Sequence, residues 1–217
     1  PPKGGMVLAL LAGVAIAGAV PASGLRAPGA GMNAEDEAAA AVRARVDARR
    51  DAEAERIVAG RDAIVSQDFF EPRALGAPGG LARARNKLKA LRELSARAEA
   101  GDDRLRDQAR AELARVPVSA ARRQAILRDF DAAVAREYEQ AGIGAELSQM
   151  LFTEMDAQLD ILSRTRWSVE SGQIMFATDR DMNAFNVRAD RVDEIQRELQ
   201  KMEQARQTRL NAARQVR

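Results

Sequence analysis

Three carboxylates have the spacing in this sequence best suited to acid–base or cation chemistry. Glu154, Asp156 and Asp160 lie close together, and Asp156 and Asp160 stand four apart, on one face of any helix that contains them. Paired carboxylates can divide acid and base roles between them, or hold Ca²⁺ or Mg²⁺ through oxygen. They serve equally well as the charged outer face of a helix whose other side is apolar. Other chemistries are closed by composition. The 217 residues include no Cys and no His, which removes thiol nucleophiles, imidazole bases, Ser-His-Asp triads and the common zinc sites. There is no Gly-rich phosphate loop, no Gly-x-Ser-x-Gly and no Ser-x-x-Lys. The expectation is a chain without catalytic residues, cofactor or metal.

The wider composition points to helices. Apolar residues make up 46%, much of it alanine, and aromatics only 4%, so any core is thin and lies between helices. The 34 basic and 32 acidic residues are interspersed. That balance suits a solvated helical surface and argues against nucleic acid, whose binders carry a one-sided basic excess.

Met6–Val20 is an uncharged run of 15 apolar or glycine residues after Lys3, followed by Pro21-Ala22-Ser23-Gly24. It reads as a secretory signal peptide over residues 1–22, with Val20 and Ala22 at the small positions before a cut at Ser23. Two other readings stand: an uncleaved anchor, short against the roughly 20 residues a span needs, and a core helix. Either of the first two places residues 33–217 in the periplasm, free or held at the inner membrane. Residues 23–32, rich in Gly, Pro and Ala, read as a flexible linker.

The rest reads as an all-α antiparallel helical bundle with long amphipathic helices and one small β-hairpin insert, a single helical envelope domain over 33–217. Asn33 caps a first helix that runs to about Gln67, with an apolar face only near its end, at Ile57, Val58, Ile64 and Val65. Its early half has little to bury and is expected to be exposed or loosely docked. Arg73–Gly80, with Pro78 and three glycines, reads as a loop. Helix returns over 81–100, breaks at Gly101, and resumes from a cap at Asp102 to Ala114. Ser119 caps the next, with Ile126, Phe130, Val134 and Tyr138 in a row; Gly142-Ile143-Gly144 stops it. A further helix carries Leu147, Met150, Leu151, Met155, Leu159 and Leu162, packed antiparallel on its predecessor.

Arg166–Asn186 breaks this pattern. Trp167, Val169, Ile174 and Phe176 alternate with polar residues around Glu170-Ser171-Gly172-Gln173, which predicts a hairpin over 167–176 with positive φ at Gly172 and Trp167 and Phe176 inward. Thr178 or Asp179 caps a last helix striped with Met182, Phe185, Ala189, Val192, Ile195, Leu199 and Met202. Val169, Gly172, Ile174, Phe176, Thr178, Phe185 and Asn186 together resemble the C-terminal pattern of a family of uncharacterised bacterial cell-envelope lipoproteins. The resemblance covers about 20 residues and lacks the lipid-bearing Cys. It implies an exported helical protein and supplies no catalytic residues.

The expected function is therefore binding, with an unknown protein partner or a membrane surface. The candidate interaction surface is the groove beside Trp167 and Phe176, together with the basic stretch that includes Arg83, Arg85, Lys87 and Lys89. The alternatives are a membrane-anchored, coiled-coil-like scaffold forming a homo-oligomer through the 33–66 and 180–215 helices, and a carboxylate-dependent cation-binding or hydrolytic domain.

Overall fold

A computed structural model describes residues 34–65 and 69–215. The segments read as signal or anchor (1–22) and linker (23–32), and the Asn33 cap, lie outside these. Five helices and one hairpin follow in the order α1 (Ala34–Ile64), α2 (Pro72–Gly76), α3 (Gly80–Ala114), α4 (Ala120–Arg164), β1 (Trp167–Glu170), β2 (Gln173–Phe176) and α5 (Asp179–Gln215). The chain is all-α with a small β insert, as its periodicity predicts. No helix among the described residues is long and apolar enough to cross a membrane.

The described residues divide into two compact units. One holds Val58–Ser95 and Gly144–Glu203; the other holds the described residues up to Ile57, then Ala96–Ile143 and those from Gln204 on. Each of the four long helices contributes to both. The first unit is built on Phe69, Phe70, Leu88, Leu91, Phe152, Met155, Leu159 and Leu162, with Val192, Ile195 and Leu199 of α5. Each large side chain fully buried there contributes about 1.5–3 kcal/mol. The second unit is built on Ala39, Val42, Val46, Ala109, Leu113, Val116, Val118 and Ile126.

Several helix boundaries differ from expectation, each for a physical reason. The early half of α1 is packed: Ala39 is fully buried and Val42 and Val46 nearly so. These small residues stand three and four apart and form a narrow seam that lets neighbouring helices approach closely. Arg49 adds a bond to Glu112 at 2.5 Å, and Glu35 accepts from the Ser119 N–H at 2.6 Å. Residues 73–80 are not all loop, because Pro72 presets φ at the first position of α2 and Leu75 buries itself.

Two predicted breaks are absent. α3 runs through Gly101, and Asp102 does not cap; its carboxylate is taken by Arg106 one turn on, with Asp103 on the same guanidinium at 3.1 Å. α4 runs unbroken through Gly142-Ile143-Gly144, so no antiparallel pair forms there. A helical glycine costs about 1 kcal/mol, which packed flanks on both sides outweigh. The Ser119 cap is present, its Oγ accepting from Arg122 N–H at 3.3 Å.

The apolar rows of α4 are partly displaced. Ile126 is buried, but Tyr138 is 50% exposed. Strict four-residue spacing drifts about 40° per step on a helix of 100° per residue, so the row walks out of the core. Met150 likewise faces out at 38%, and Phe152, absent from the predicted stripe, sits at 0%.

Candidate interaction surfaces

The hairpin forms where alternation and turn chemistry require it. Trp167 pairs with Phe176 and Val169 with Ile174, in antiparallel register. Ser171 (φ 51°) and Gly172 (φ 78°) both take the left-handed conformation, the two-residue turn whose twist matches the strands. The glycine was legible in the sequence; the matching demand on Ser171 was not.

Three contacts hold the hairpin in place. The Trp167 indole N–H donates to Leu162 O at 2.6 Å, tying β1 to the end of α4. Helix α2 seats against β1 at Gly76, where a Cβ would fall 2.8 Å from Val169 Cγ2. The Phe176 and Phe185 rings lie 5.3 Å apart and tilted, joining β2 to α5. Thr178 caps α5, its Oγ1 accepting from the Asp181 N–H at 3.1 Å. Trp167, Val169, Ile174 and Phe176 are half-buried, while Ser168, Glu170 and Met175 stay exposed. Trp167 and Phe176 are thus brought together, facing the unit's own core cluster.

The basic stretch is largely spent within the protein. Arg83 donates to Pro78 O at 2.7 Å, where it braces the turn before α3. Arg85 reaches α4 and binds Asp160 at 2.7 Å and Ser163 Oγ at 3.1 Å. Lys87 lies 6.0 Å over the Phe69 ring, and Lys89 stands 4.0 Å from Glu93. The three carboxylates of α4 find arginines in the same way. Glu154 accepts from Arg188 at 2.9 Å, Asp156 pairs with Arg92, and Asp160 with Arg85. No group of acidic side chains placed to hold a metal occurs among the described residues. Glu154, Val187, Arg188, Arg191 and Glu194 also line an open cleft between α4 and α5. Nothing in the sequence marked that cleft, because its walls come from segments far apart in the chain.

A second charged cluster was not anticipated. Arg106, on α3, is 7% exposed. It pairs with Asp102 and Asp103 and stacks its guanidinium 4.0 Å from the centre of the Tyr138 ring. Burial pushes the Asp102 carboxyl above its usual range, outweighing the pull of Arg106 and of Arg50. Proton binding by folded Asp102 is thereby favoured, so its contribution to stability is fullest in acid and lost as pH rises through the raised value.

The Tyr138 hydroxyl donates to Asp103 at 2.6 Å. That bond, with a smaller part from burial, raises its pKa above the ordinary value near 10. Tyr138 is the only tyrosine, so absorbance near 295 nm reads its ionisation directly. We expect a midpoint above that of free tyrosine, falling back toward it in Asp103→Ala. A midpoint unchanged by the substitution would remove the hydrogen bond as the cause. The stability that this bond supplies is present below about pH 10 and lost as pH climbs through the raised value.

No family model, curated protein or solved structure matches this chain.

Proposed function

We propose that the chain is a non-catalytic bacterial envelope protein that works by binding a protein partner through its hairpin-bearing unit. The observation that carries this reading is the fixed presentation of the hairpin. Its inner face is anchored by the indole–carbonyl bond and the α2 seat, and its outer face, Ser168, Glu170 and Met175, is exposed. A surface already ordered loses little entropy on binding. With two strands only among the described residues, each has one edge without a sheet partner, the kind of edge to which an added strand can pair.

The competing readings have less support. Glu154, Asp156 and Asp160 each contact an arginine, so none is left as an uncompensated acid or base. Arg83, Arg85 and Lys89 are engaged with groups of this chain, which weakens the reading of that stretch as an anion- or membrane-binding face. The α5 stripe at Val192, Ile195 and Leu199 is occupied by its own unit's core, which weakens pairing between copies through it. Export rests on the apolar Met6–Val20 run and on the resemblance at residues 169–186.

Photocrosslinking tests both halves of the proposal. A photoreactive residue replaces Met175 in one variant and exposed Gln108 in another, each produced in the organism that encodes the chain, which is then fractionated. The expected outcome is a discrete protein adduct from position 175, absent from position 108, in an envelope fraction.

A further inference from the structure

Apolar burial is interrupted along two of the long helices. On α3 the fully buried apolar residues stop at Leu94 and resume at Ala109; on α4 they stop at Ile126 and, among the described residues, resume at Leu151. The buried positions in the α3 gap are Ser95, Gly101 and Arg106. The contacts described between α3 and α4 there are polar. Arg106 lies 4.0 Å from the Tyr138 ring centre, and Tyr138 donates to Asp103 at 2.6 Å. The ring is half exposed, while Arg106 against it is buried.

Glycine adds to the weakness of this layer. Gly101 and Gly142 sit in it, and neither is required by close packing. A Cβ at Gly142 would meet nothing within 4 Å, and one at Gly101 would meet only side-chain atoms, Glu53 Oε1 at 3.4 Å and Arg104 Nη2 and Glu53 Cγ at 3.9 Å. Gly60 of α1 contrasts, since a Cβ there would press on Leu94 Cδ1 at 3.2 Å. Each unneeded glycine lowers the local helix–coil equilibrium roughly fivefold relative to alanine, with no steric gain in return.

We propose that residues 98–106 of α3 and 138–144 of α4 form one yielding layer, which opens locally as a single step while the apolar clusters stay folded. Segments with few buried apolar contacts open at lower free energy than the cores they adjoin. The Arg106–Tyr138–Asp103 contact ties the two segments, so loosening one removes the partner of the other.

Hydrogen exchange of the full chain, read peptide by peptide, tests this without any variant. Amides in 98–106 and 138–144 should exchange roughly tenfold or more faster than those in 84–94 and 151–162. Gly142→Ala, for which there is room, should raise protection over 138–144 roughly fivefold and over 98–106 by the same factor. Gly101→Ala should act reciprocally. Uniform protection along α3 and α4 would overturn the proposal. An effect of Gly142→Ala confined to α4 would overturn the single step.

Discussion

Phe152→Ala is expected to cost about 3–5 kcal/mol, the range for removing a fully buried aromatic ring. Phe152 is at 0% exposure in the centre of the larger cluster, beside Leu151, Met155 and Leu159. Its backbone carbonyl also accepts from Arg92 at 2.9 Å, which ties this turn of α4 to α3. Stabilities of whole domains run to only about 5–15 kcal/mol, so the variant should be near its unfolding limit. Met150→Ala, two residues away and facing solvent, should change stability by less than about 0.5 kcal/mol. Denaturant unfolding followed by the emission of Trp167, the only tryptophan, reads this unit directly. Equal costs at 150 and 152 would mean that the face of α4 has been assigned wrongly.

Gly80→Ala should be of similar size for a different reason. A Cβ at Gly80 would lie 2.2 Å from Ala74 O and 2.4 Å from Leu75 O, both backbone atoms that cannot turn aside. The corner between α2 and α3 would have to spread, and with it the Gly80 N–H to Ala77 O bond of 2.8 Å. Forced overpacking typically costs 1–3 kcal/mol, and rigid backbone places this case at about 3 kcal/mol or above. The Gly142→Ala variant is the matched control, expected to be neutral or stabilising by up to about 1 kcal/mol. A thermal melt of the two variants separates the glycine that packing requires from the one it does not. A Gly80→Ala protein as stable as wild type would show that the corner is looser than this geometry allows.

How far the fold could be read from sequence depended on how local the deciding interaction was. The hairpin was legible but for the left-handed Ser171, because alternation, the turn glycine and the Thr178 cap act over a few residues. The stops expected at Gly101 and Gly142 were not real, because a glycine penalty near 1 kcal/mol is small beside packing on both flanks. The seam of Ala39, Val42 and Val46 gives a weak signal in sequence because its side chains are small, although their spacing marks a face. The roles of the candidate site residues depended on distant partners. Arg85 meets Asp160 across 75 residues, and Arg188 meets Glu154 across 34. Composition says that such pairs will form but not which. The carboxylates that stood out as candidate chemistry each form an interhelical pair. Being partly exposed, these are worth about 1 kcal/mol or less each.

Export and binding through the hairpin-bearing unit are read together in the intact mass of photocrosslinked protein from cell fractions, with the reactive residue at position 175. Recovery is expected outside the cytoplasm, either cut before Ser23 in the periplasm or uncut in the inner membrane, carrying one discrete protein adduct. Uncut protein in the cytosol would contradict export. An envelope species with no adduct at 175, or with the same adduct from position 108, would contradict binding through the hairpin.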